Sequence, residues 1–115
     1  KDTPEQLVAK QAAMQDALIG ATEVPLDIMR TAAACVEHAD FLARNGSRMA
    51  RSDAGVSVAF ARAAVDGASL NVYINAASID DAERAARYRD EADRLVAQTR
   101  EHCDEVFAFV KDAIS

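Results

Sequence analysis

Ser52 and Asp53 open, and Asn71, Tyr73 and Asn75 close, the stretch SDAGVSVAFARAAVDGASLNVYIN (residues 52–75). Its interior is almost wholly apolar and Ala-rich. A segment of this kind is normally buried on several sides, where an unpaired polar group costs on the order of 1–3 kcal/mol. Its polar residues therefore need partners. Asn71 and Asn75 lie four apart and share a face if the segment is helical. An Asn amide both donates and accepts, as reading the amide edge of a heterocycle requires. An inter-helix hydrogen-bond network or helix capping would use the same groups, and the residues alone leave both roles open.

Other chemistry finds little support. His38 follows Glu37 and His102 precedes Cys103. Adjacent helical positions point apart, so neither pair makes a metal site, and surface or packing histidines are expected. No HExxH, P-loop, GxGxxG or GxSxG pattern occurs. Cys35 and Cys103 lack CxxC spacing and read as two reduced thiols of a cytoplasmic protein, with a disulfide between them as the lesser alternative. The net charge of −6, with both signs interspersed, leaves no basic stripe for nucleic acid. No apolar run approaches the roughly 20 residues of a membrane span, and no signal peptide is visible.

The elements that would position these residues are helical. The 115 residues suffice for a single domain with a modest core. With 26 Ala and only 5% aromatics, that core favours closely approaching helices. Thr3-Pro4-Glu5-Gln6 is a capping box, predicting a helix to about Gly20. Pro25 is expected to break the chain around Thr22–Pro25. A second helix follows on Ile28, Ala32, Cys35, Val36, Ala39 and Leu42 and stops at Asn45-Gly46. Ser47 to Arg51 read as a short basic loop holding Arg48 and Arg51. Ser52 or Asp53 then caps a third helix, in which only Arg62 and Asp66 are charged between Ala54 and Ile79. So few charges predict burial by partners on several sides. Val72-Tyr73-Ile74 has strand-like composition but no second strand to pair with. Ser78-Ile79-Asp80-Asp81 caps a fourth helix, with a stripe from Tyr88 through Leu95, Thr99, Cys103 and Phe107 to Ile114. Its charged face reads as solvated surface. The expectation is an all-α bundle of about four helices, the third central and buried.

In order and spacing these words are similar to one family. SDAGVSVAFARAAVDGASLNVYIN resembles the signature of the formiminotransferase-cyclodeaminase/methenyltetrahydrofolate cyclohydrolase family. Upstream, QDALIGATEVPLDIMRTAAACVEHADFLARNGSRMARSDAG resembles its succession of helix, ATEVPL-type kink, helix, NG and SDAG, and NVYIN resembles the cyclohydrolase branch. The resemblance covers nearly the whole chain. It implies an all-helical homodimer that hydrolyses 5,10-methenyltetrahydrofolate to 10-formyltetrahydrofolate. Cyclodeamination of 5-formiminotetrahydrofolate is the alternative. The folate is substrate, and neither metal nor other cofactor is implied. The methenyl carbon is already a cationic amidinium electrophile, and a carboxylate beside it can stabilise the cation and accept a proton from water. Asp53 takes that role. Asn71 and Asn75, with Ser52 nearby, would hold the pterin edge or position water, and Tyr73 would pack on the ring or donate a hydrogen bond. Arg48 or Arg51 would attract the folate's glutamate carboxylates. The family's Gly-rich TPGGG-type segment is absent and the chain begins at Lys1, which implies the C-terminal portion of such a domain. The other half would lie in an omitted segment or a second chain. The third helix would then be partly uncovered and prone to pair, and a non-catalytic dimerisation module is the second alternative.

Overall fold

Thr3 and Gln6 start the first helix as their types dictate. The Thr3 hydroxyl accepts from the Gln6 amide, and the Gln6 side chain accepts from the Thr3 amide at 2.7 Å. From there the computed structural model, which describes residues 1–115, contains three helices: α1 (Pro4–Asn45), α2 (Arg48–Ala76) and α3 (Ala82–Ile114).

The count of three corrects the expected four, because Pro25 does not break α1. A helical proline leaves the carbonyl four residues earlier without its amide donor. Here that carbonyl belongs to Ala21, and the side-chain amide of Asn75 on α2 donates to it at 2.9 Å. One turn earlier, the buried Thr22 hydroxyl donates back to the Leu18 carbonyl at 2.7 Å. A donor from another helix thus replaces the one that proline removed.

The start of α2 is also corrected. Ser47, not Ser52 or Asp53, is the cap, its hydroxyl accepting from the Ala50 amide at 3.2 Å. The supposed basic loop is the first turn of α2. Only Gly46 and Ser47 separate the two helices, and a Cβ at Gly46 would stand 2.6 Å from the Leu42 carbonyl oxygen. The tight connection therefore excludes a side chain. Within the predicted Ser78–Asp81 motif the cap of α3 is its last residue, Asp81, which accepts from the Arg84 amide at 3.1 Å, and Ser78 lies in the turn that follows α2.

Helix α2 is central, packing against both α1 and α3. Leu26, Met29, Val65, Val72, Tyr88 and Ala92 form one core near the Asn75 end. Val36, Ala43, Ala54, Val58, Cys103 and Val106 form the other, near the α1–α2 turn. Gly55 lets α3 approach closely, since a Cβ there would lie 2.9 Å from a Val110 methyl. The expected burial of α2 holds only for the sides facing α1 and α3. Its outward face carries the exposed apolar residues Val56, Phe60, Leu70 and Ile74. Phe107, assigned to the α3 stripe, is also half exposed, as are Leu7 and Met14 on the first turns of α1.

The charged face of α3 is more than solvated surface, because much of it bridges to its neighbours. Arg30 holds Glu91 through two hydrogen bonds of 2.6 and 2.7 Å. Arg100 pairs with Asp66, and Arg62 with Asp104. No helix is long and apolar enough to cross a membrane.

Candidate functional site

Asp53 lies exposed in the second turn of α2, over a hollow of about 300 Å³ against α1. Cys35, His38 and Leu42 from α1 and Ser57 from α2 line it with Asp53. The hollow therefore holds a carboxylate, an imidazole, a thiol and a hydroxyl. Sequence reasoning missed His38 as Asp53's neighbour. The signal was available: the two residues stand nearly equal distances either side of Gly46, so a helical hairpin turning there must set them level.

Ser52 faces the other way. It borders an apolar hollow of about 470 Å³ between α2 and α3, with Val56, Phe60, Phe107 and Lys111 around it. Two neighbouring positions of one helix thus serve opposite sides.

The remaining expected site residues do not gather around Asp53. Eighteen residues of helix separate it from Asn71, a rise of about 27 Å. Asn71 is exposed, whereas Asn75 is half-buried and donates to the Ala21 carbonyl. The inter-helix hydrogen bond that the residues had left open is therefore present at Asn75. Tyr73 faces α3 and its hydroxyl donates to Asp93 at 2.5 Å. Burial, reinforced by the Asp93 carboxylate, pushes its phenol up to about 12. Arg48 donates to the Ile114 carbonyl at the end of α3, and Arg51 to the Arg44 carbonyl at the end of α1, at 3.4 Å. Both cations therefore sit at negative helix ends.

His102 is likewise engaged. Its Nε2 lies 2.7 Å from Asp40, and its Nδ1 lies 3.9 Å from Glu37. The hydrogen bond to His102, helped by Arg44, holds the Asp40 carboxyl below the usual range. The two cysteine sulfurs are unbonded, Cys35 exposed and Cys103 buried, and burial pushes the Cys103 thiol up. No group of three or more His, Cys, Asp or Glu side chains is placed to hold a metal ion.

Comparison with known proteins places this geometry in context. The family model described as formiminotransferase-cyclodeaminase matches residues 1–94. The chain is 35% identical over 115 residues to a methenyltetrahydrofolate cyclohydrolase of Methylorubrum extorquens, covering all of this chain and 55% of that protein. It is 33% identical over 100 residues to a formimidoyltransferase-cyclodeaminase of Sus scrofa, covering 87% of this chain and 18% of that protein. To the Gallus gallus protein of the same name it is 31% identical over 110 residues, covering 96% of this chain and 20% of that protein. The chain thus spans about half the length of the cyclohydrolase it matches.

Proposed function

The chain belongs to the formiminotransferase-cyclodeaminase family, and on that premise we propose that it forms part of the folate site of a cytoplasmic, homodimeric methenyltetrahydrofolate cyclohydrolase. The observation that carries this reading is the 35% identity, running over all 115 residues, to a relative named for that reaction. The hollow around Asp53 supports it chemically. Water adds to the cationic methenyl carbon and gives a proton to the Asp53 carboxylate. The resulting carbinol loses its hydroxyl proton as the bond from that carbon to N5 breaks, and N5 takes up a proton. The products are 10-formyltetrahydrofolate and one released proton. An amidinium electrophile needs only a carboxylate to stabilise it and to accept that proton.

His38 lines the same hollow and can relay the proton to solvent. Asn71 is the amide free to read the pterin edge, since Asn75 is committed to Ala21. Asp53→Asn tests the assignment. It should lower turnover by about a hundredfold or more, the range of a lost general base, and leave the helical content unchanged. Undiminished turnover would remove Asp53 from the reaction. The exposed face of α2 favours a second reading, in which this chain is a helical pairing module. The cyclodeaminase relatives keep formimino-group removal as the alternative reaction of the same hollow, which ammonia release would reveal.

A further inference from the structure

We propose that α1 is a hinged helix: its leading arm, residues 4–21, pivots about residues 20–25, and the Asn75 amide of α2 is the latch that holds it straight. The proposal concerns the motion of this chain's own helix and stands independently of the folate reading.

Three residues close together in α1 each weaken the helix. Gly20 is a poor helix former, and a Cβ placed there would meet nothing within 4 Å, so no neighbour requires the glycine. The Thr22 hydroxyl donates back to the Leu18 carbonyl at 2.7 Å, a bond that bends helices. Pro25 removes the donor for the Ala21 carbonyl, and its ring crowds that oxygen. Sharp kinks arise where a proline interrupts the helical ladder. Yet α1 runs unbroken over 42 residues.

Burial divides α1 at the same place. Its buried residues begin at Thr22 and run to Ala43. Ahead of Thr22 only Gln15, Leu18 and Ile19 are even half-buried. Leu18 and Ile19 rest against the core that includes Val72 and Ile79. Otherwise the arm is tied only to the turn between α2 and α3. Gln15 donates to the Ser78 carbonyl at 3.2 Å and accepts from the Asp80 amide at 2.8 Å, and Gln11 donates to Asp80 at 3.1 Å. These bonds are open to water, where the net worth of each is modest. Residues 22–45 are therefore a stem fixed in the core, and residues 4–21 an arm held by few contacts.

Asn75 acts at the fulcrum. Its amide donates at 2.9 Å to the carbonyl that Pro25 leaves free. Pro25 is buried, and the carbonyl it crowds is reached from α2. The gap in the helical ladder therefore faces α2. Without the Asn75 donor, the proline ring and the Ala21 oxygen push apart on that side, and the arm bends away from α2. Leu18 and Ile19 then lift from the core, and Gln11 and Gln15 leave the turn. A kink of about 20° moves Val8, about 26 Å ahead of Pro25, by about 9 Å.

Spin-label distances between Val8→Cys and Ala77→Cys test the latch. The labels go into a Cys35→Ser background, where the remaining Cys103 is buried, and labelled chain is diluted with unlabelled chain so that only distances within one chain are read. With Asn75 present the distance should be single and narrow. Asn75→Ala should lengthen it by about 4 Å and broaden it. Adding Pro25→Ala, which restores the backbone donor, should make it short and narrow again. A distribution in Asn75→Ala as short and narrow as with Asn75, or a broadening that Pro25→Ala leaves in place, would overturn the latch. Hydrogen exchange separates a hinge from a general loss of stability. In Asn75→Ala the amides of Val24 and Leu26 should exchange about tenfold faster, while those of Leu42 and Ala43 in the stem keep their rates. Equal acceleration at both places would overturn the hinge.

Discussion

Asn75 should matter to this protein because Pro25 does. In the structure the Asn75 amide donates at 2.9 Å to the carbonyl of Ala21, the group that Pro25 leaves without a helical donor. Asn75→Ala removes that donor and leaves the carbonyl of the exposed Ala21 to water, a loss of about 1–1.5 kcal/mol, the upper part of a hydrogen bond's net worth. Restoring the backbone donor should make Asn75 dispensable. In a Pro25→Ala background the amide of residue 25 can reach the Ala21 carbonyl itself. There, Asn75→Ala should cost less than about 0.5 kcal/mol, leaving a coupling of about 1 kcal/mol. Pro25 is buried, so Pro25→Ala alone combines lost packing with gained helix propensity. The double-mutant cycle cancels that background. Urea unfolding of the four proteins, at one protein concentration because pairing shifts apparent stability, measures the coupling. An equal cost for Asn75→Ala in both backgrounds would refute this account of how α1 runs through its proline.

Three further predictions concern how the helices are held. Ser47→Ala should destabilise by about 1 kcal/mol through loss of the α2 cap, while Ser52→Ala, at an interior helical position, should shift the urea midpoint little. Gly55→Ala should cost about 1–3 kcal/mol by overpacking against the stiff Val110 side chain, despite its better helix propensity, and Val110→Ala should relieve part of that cost in thermal melts. Asp40 sits below its ordinary value of 3.8 because of its bond to His102. The stability from that pairing is therefore present above the unfolded-state value and is lost as pH falls through the lowered one. Melting temperature should drop below about pH 4, and Asp40→Asn should flatten that part of the acid limb.

Helix type was legible where one face alone had to be buried. The α3 stripe and the Thr3 cap are local patterns, and local patterns survive into the fold. What the sequence hid depends on partners distant in the chain. Nothing near Pro25 announces that Asn75 will supply the missing donor, so an uninterrupted α1 was not to be expected. Ser47 and Ser52 are equally good caps by type. The tight turn at Gly46, with no room for a side chain, decides for Ser47. The apolar character of α2 suggested burial all round, yet its period divides into faces for α1, for α3, and for solvent. At the site, Asp53 and the asparagines looked like one constellation because they bracket one motif. A straight helix keeps its ends far apart, and that distance is invisible in the words SDAG and NVYIN. His38, set level with Asp53 by the turn at Gly46, is the residue that shares its hollow.

Decay of the methenyltetrahydrofolate absorbance, followed with and without this protein, tests the folate assignment most directly. The account predicts decay clearly faster than in buffer, yielding 10-formyltetrahydrofolate, and its loss in Asp53→Asn with helical circular dichroism intact. Decay at the buffer rate, or decay that Asp53→Asn leaves unchanged, would contradict it.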